Sequence, residues 1–152
     1  MFPRSRPRSG SARGLHRALL AACLLALVVV TTVHGEDVQR LSGPVTDTTG
    51  ELTARRAEIV TAIDATLEED GVQVFVLFVR TTGNRSTSDF AVETAQLNSL
   101  GVNDVLLLVA LDDRTDYLWV SDGLDIEDDE LDEIISETLE PGLGEGDFAG
   151  AV

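Results

Sequence analysis

Apolar and polar positions along residues 43–152 fall into blocks, and each block has its own period. Gly43-Pro44-Val45-Thr46-Asp47 reads as a turn running into a short extended piece, with a second turn at Thr48-Thr49-Gly50. From Leu52 to Glu69 the apolar residues Leu52, Ile59, Val60, Ile63 and Leu67 recur at helical spacing. Thr53 is placed to cap that helix and Asp70-Gly71 to stop it. Val72 to Val79 is almost continuously apolar, the pattern of a strand covered on both faces. After a polar loop, Ser88 or Asp89 is placed to cap a second helix that runs to Leu100. Phe90, Ala91, Ala95, Leu97 and Leu100 would face inward, and Gly101 would end it. A third helix is predicted from Asp125 through Leu139, with Leu131, Ile134, Ile135 and Leu139 on one face and Pro141 as its stop. Asp147 would cap a final short helix.

Between the second and third helices, Asn103 to Leu124 holds two apolar runs around the polar tetrad Asp112-Asp113-Arg114-Thr115, the signature of a β-hairpin. A turn centred on Asp113 and Arg114 sets Asp104 opposite Asp122 or Gly123. Like charges facing each other across strands are unfavourable, so a cation, a salt bridge or solvation is needed there. The 25 residues between Val79 and Val105 are ample for a crossover, which makes those two strands parallel. The expected class is α/β: a three-layer α/β/α sandwich with a mixed sheet.

Charge changes the picture. Arg4, Arg6, Arg8, Arg13 and Arg17 precede the apolar run Ala18 to Val33, and every acidic residue follows it. Residues 1–35 therefore read as a signal peptide or an N-terminal anchor helix, with cleavage after Gly35. Glu36 to Ser42 reads as a polar linker and 43–152 as one domain. After Gly35 there are 6 Arg and no Lys against 27 acidic residues, a net of −21. Such a surface repels nucleic acid and attracts divalent cations.

The chemistry available to the exported part is narrow. Its sole candidate His is His34 and it has no Cys, so Ser-His-Asp and Cys-His arrangements are excluded and zinc lacks its usual ligands. No Gly-rich phosphate loop is present, and Asp122 to Asp132 fails the EF-hand spacing at Leu124 and Glu127. Oxygen-ligand chemistry remains. Asp104 and Asp122, with Asn103 and Ser121 beside them and Asp47 from a separate loop, form a candidate Ca2+ or Mg2+ set. Asp113 and Arg114 are a separate candidate at the hairpin tip, where Arg114 would grip a phosphate at the sheet end away from Asp104.

An ordered series of short motifs resembles the TPM domain family. The series is Val45-x-Asp47, Gly50-x-Leu52, the Val72 to Val79 strand, Asp89-Phe90-Ala91, Leu100-Gly101-Val102 and Asn103 through Ala110, then Asp113-Arg114. It continues with Val120, Gly123-Leu124, Ile134-Ile135, Pro141 and Gly146-Asp147-Phe148. The resemblance implies a three-layer fold on the outer or lumenal side of a membrane, as in thylakoid proteins linked to photosystem II repair and in bacterial envelope proteins. It also implies divalent-metal binding or acid phosphatase activity, with Asp47 and Asn103 as carried-over site candidates. Two departures add carboxylates: Asp104 stands where Gly is common, and Ser121-Asp122-Gly123 replaces a Val-Gly-x-Gly continuation. Many bacterial members continue into a transmembrane or low-complexity tail, so the domain at 43–152 is expected to be truncated. The expected function is an extracytoplasmic, membrane-associated accessory module of a bacterial envelope that binds Ca2+ or Mg2+ or docks envelope proteins. The alternative is a metal-assisted acid phosphatase.

Overall fold

The computed structural model describes residues 35–152, so the basic and apolar segment read as a signal or anchor lies outside the described residues. The described part is a mixed four-stranded sheet between helical layers. Strands β1 (Val45–Asp47), β2 (Gln73–Val79), β3 (Asp104–Ala110) and β4 (Thr115–Val120) lie side by side in chain order. The first three are parallel and β4 is antiparallel to β3. β2 and β3 are central, which is why both read as unbroken apolar runs.

Helix α1 (Arg56–Asp70) covers one face with Ile59 and Ile63. Under it lie Val45, Val76, Phe78, Leu107 and Val109. Helix α2 (Thr87–Asn98) covers the other face, placing Phe90 and Ala91 on Leu77, Val79, Leu106 and Leu108. Both crossovers step the same way across the sheet, yet their helices lie on opposite faces. A right-handed unit repeated in one direction keeps its helix on one face, so one of the two units has the uncommon hand. The chain therefore leaves β1 and β2 toward opposite sides, the arrangement that in α/β sheets places ligands outside the strands' carboxyl ends.

Several boundaries differ from the sequence reading for identifiable reasons. Thr53 does not cap α1; residues 51–55 form turns and the helix starts after Arg55. Leu52 still lies in the core, held by its N–H to the Asp47 carboxylate. The cap of α2 is Ser86, whose hydroxyl accepts the Asp89 N–H at 3.0 Å, rather than Ser88 or Asp89. Leu97 is 39% exposed. In that last turn Asn98 takes the inward place, binding Gln39 O and Leu41 N.

The third helix is broken in three: α3 (Asp128–Ile134), a π turn (Ile135–Leu139) and α4 (Glu140–Glu145). Pro141 sits in the first turn of α4 instead of stopping the helix. Proline has no N–H to donate, and the π turn just ahead of it absorbs that irregularity. The wider turn also rotates the stripe, so Leu139 is buried while Ile134 is 45% exposed.

The segment read as a linker is docked along the sheet. Leu41 N–H donates to Asn98 Oδ1 at 2.8 Å, and Val38 and Leu41 pack on the α2 face. Among the described residues no helix is long and apolar enough to cross a membrane.

Two glycines in the same part of the chain should respond oppositely to alanine. At Gly123 a Cβ would meet the Val102 carbonyl oxygen, whereas at Gly144, in α4, it would meet nothing. Gly123→Ala should cost about 1–3 kcal/mol in denaturant unfolding. Gly144→Ala should stabilise by about 0.5–1 kcal/mol.

Candidate functional site

The sequence candidates divide between the two ends of the sheet. Asp47 pairs with Phe78, which pairs with Val109, five positions along β3 from Asp104. At roughly 3.3 Å per residue, that separates Asp47 from Asp104 by about 16 Å along the strands alone. Asp47 therefore does not close a group with Asn103, Asp104, Ser121 and Asp122.

At the carboxyl end, Asp47 acts as a turn acceptor. Its Oδ1 takes the Thr49 N–H (2.8 Å), the Thr49 hydroxyl (2.6 Å) and the Gly50 N–H (2.9 Å). Its Oδ2 takes the Leu52 N–H at 2.9 Å. Partial burial alone would raise its pKa, but these bonds outweigh it and hold the carboxyl below its ordinary value. Asp113 works in the same way. It accepts the Thr81 hydroxyl (2.7 Å), the Thr82 N–H (2.7 Å) and the Thr82 hydroxyl (3.2 Å), tying the hairpin tip to the loop after β2. Burial pushes its pKa up and those bonds pull it lower still, below the usual carboxylate value.

At the other end the hairpin register differs from the expected one. The ladder pairs Val105 with Val120, and Ser121 N–H donates to Asp104 O at 3.2 Å. Asp104 thus faces Ser121, and Asp122 lies one residue beyond. The shift arises at the tip, where the loop Leu111–Arg114 is four residues long and Arg114 takes the left-handed conformation at φ +54°. The Asp104 carboxylate accepts the Gly101 N–H, and the Ser121 hydroxyl donates to Val102 O at 2.7 Å. Asn103 O accepts the Gln73 N–H at 2.9 Å. Asp122 is exposed. These groups staple the loops at 101–103 and 121–123, where Gly123 touches Val102.

A pocket of about 580 Å³ opens between the hairpin and α4. Val109, Leu111, Leu143 and Phe148 give it apolar walls, and Arg114, Asp116 and Glu140 supply charge. Asp116 lies opposite Val109 and so projects to the face that carries the α1 core. Burial, and then the nearby charge of Glu140, raise its pKa above the ordinary value. Neither acid stood out in the hydropathy pattern. The available signal was Asp116 itself, a carboxylate in the inward-facing set Asp116, Leu118 and Val120. Among the described residues no three His, Cys, Asp or Glu side chains are grouped to share one ion.

A mixed sheet covered on both faces, with an acid-lined pocket at one end, defines an α/β sandwich domain. Residues 45–152 match the TPM domain family, and the chain belongs to it. It is 30% identical over 114 residues to UPF0603 proteins from two strains of Mycobacterium tuberculosis. That match covers 74% of this chain but 17% of those proteins, so the chain spans about a sixth of their length. Two solution structures share the fold. One is the N-terminal domain of the Corynebacterium glutamicum protein cg2496, with TM-score 0.63, 24% identity and 80% of each chain covered. The other is an N-terminal domain from P. gingivalis, with TM-score 0.61, 25% identity, and 70% of this chain and 73% of that one covered.

The two kinds of carboxylate have opposite pH signatures. Asp47 and Asp113, with lowered pKa, contribute stability that is present above the unfolded-state value near 3.8 and lost as pH falls through their folded values. Asp47→Ala should cost about 1.5–2 kcal/mol at pH 7, the lower part of the range for bonds to a charged group. That cost should fall in acid, as the protonated carboxyl becomes a weaker acceptor. Asp116, with raised pKa, is most favourable below its unfolded-state value and loses stability as pH rises through its folded value. Asp116→Asn should therefore raise the melting temperature at pH 7 and leave it unchanged near pH 3.

Proposed function

We propose that the domain is an extracytoplasmic accessory module that holds a divalent cation, Ca2+ or Mg2+, between Asp116 and Glu140. The observation that carries this reading is a half-buried carboxyl directed toward a second carboxylate inside a pocket. Burial raises the Asp116 pKa first and the charge of Glu140 raises it further, and a cation there would offset that second contribution. Hard oxygen ligands of this kind suit Ca2+ and Mg2+. The fit is better than at the sites read from the sequence, because Asp47 and Asp104 already accept the chain's own N–H groups. The basic and apolar N-terminal segment supports export, with attachment to the membrane or to envelope proteins.

A second reading is favoured by Arg114. It shares the pocket, holds a left-handed backbone conformation unusual for a side chain of its size, and makes no ion pair among the described residues. In an acid phosphatase, Arg114 would bind the phosphoryl oxygens. Asp116, with its raised pKa, would donate a proton to the leaving oxygen.

Calorimetric titration separates the two. The cation reading expects saturable heat with Ca2+ or Mg2+ that disappears in Asp116→Asn with Glu140→Gln and persists in Asp104→Asn with Asp122→Asn. Loss of heat in the second pair instead would move the site to the other end of the sheet. The phosphatase reading expects turnover of a chromogenic phosphate ester that Arg114→Ala reduces at least about tenfold. Unchanged turnover would assign that activity to a contaminant.

A further inference from the structure

We infer that the crevice outside the carboxyl ends of β1 and β2 is a carboxylate-binding site that this chain fills with its own Glu36. In open α/β sheets, ligands bind where neighbouring strands send their connections to opposite faces. β1 and β2 meet that condition, since α1 and α2 cover different faces. Glu36 occupies the place.

Its carboxylate bridges the two strand ends. Oε1 accepts the Arg80 N–H at 2.6 Å, from the residue after β2. Oε2 accepts the Thr48 hydroxyl at 2.8 Å, from the residue after β1. Gln39 Nε2 reaches the same oxygen at 3.2 Å. The backbone around Glu36 is held as well. Its N–H donates to Thr81 O at 3.1 Å, and its carbonyl accepts Arg85 Nη1 at 3.4 Å. Gly35 lies so close to Gly83 that a Cβ on either would strike the other's backbone. The strap is therefore seated as an extended segment, led by a carboxylate.

The Arg residues of the domain cluster at the same end of the sheet, with Arg55, Arg80 and Arg85 already paired with acids. Of the six Arg after Gly35, Arg55 and Arg56 follow β1, Arg80 and Arg85 follow β2, and Arg114 follows β3. The sixth, Arg40, is in the strap itself. Arg80 and Arg85 already pair with Asp112 and Glu93, so the anion here is held by the Arg80 N–H and the Thr48 hydroxyl rather than by free positive charge. The ligand class is a carboxylate, because that is the group the donors already hold. An extended acidic segment from another chain would enter as the strap leaves. This site lies outside the Asp116 pocket and does not depend on the cation reading.

Tethering gives Glu36 an effective concentration in the millimolar range or above, so an external carboxylate competes poorly until Glu36 is removed. The test follows the Arg80 amide resonance of the full chain during titration with acetate, with chloride as the ionic-strength control. Glu36→Ala should show a saturable acetate shift at Arg80 and Thr48, at a concentration at least about tenfold below any wild-type response. Glu36→Gln keeps an acceptor for the Arg80 N–H but not the charge, and should show a weaker saturable shift. It carries the test alone if Glu36→Ala does not fold. Equal responses in wild type and variants, or none in either variant, overturn the inference. Inorganic phosphate saturating Arg80 at lower concentration than acetate overturns the assignment to carboxylates.

Discussion

Side-chain oxygens that accept the chain's own N–H groups hold the carboxyl end of the sheet together. Asp47 closes the turn after β1, Asp113 joins the hairpin tip to the loop after β2, and Glu36 ties the strap to both strand ends. Residues 36–152 contain no Cys to cross-link these loops. The sheet itself is only four strands wide, and β1 is three residues long. Hydrogen bonds to ionised carboxylates are roughly twice as strong as neutral ones, which suits them to anchoring loops on so small a sheet. The consequence for function is subtractive. Carboxylates committed to backbone N–H groups are poorly placed to bind an ion, and attention moves to the acids that are not so committed.

That distinction was hard to read from the chain. The sandwich was legible because the β2 and β3 runs are apolar on both faces and their separation demands a crossover. The hairpin was legible from its polar tetrad. Its register was not, because a single left-handed residue at Arg114 lengthens the tip and changes every partner. Helix faces were readable at Ile59 and Ile63, but Leu67 near the end of the same regular helix is 40% exposed, and the stripe failed at Ile134, where a π turn ahead of Pro141 rotates it. Leu97 was misplaced because Asn98 takes the inward position to hold the strap, a tertiary demand that no local period records.

The candidate site followed the same logic. Asp47 and Asp113 were read as acids of a loop and a hairpin tip, where backbone N–H groups most need acceptors, and Asp104 as a carboxylate facing Asp122 across the hairpin. Asp116 escaped notice because it sits inside a strand. A carboxylate on the inward side of a strand is the more informative anomaly, since burying it has a cost that something must offset. Glu140 is brought to it only by the broken third helix. The pocket therefore depends on the irregularity that the helical period misses. Charge is segregated in parallel: Arg residues follow the three parallel strands, while carboxylates crowd the α3 end of the domain.

In the proposed reading, acids bonded to the backbone are structural and the Asp116–Glu140 pair would hold the cation. Paramagnetic broadening by Mn2+, an oxygen-seeking stand-in for Mg2+ and Ca2+, tests it residue by residue. Substoichiometric Mn2+ should first erase the amide signals of Asp116, Glu140 and Leu143 and spare Asn103, Asp104 and Asp122. Broadening centred on Asn103, Asp104 and Asp122, with Asp116 untouched, would contradict it.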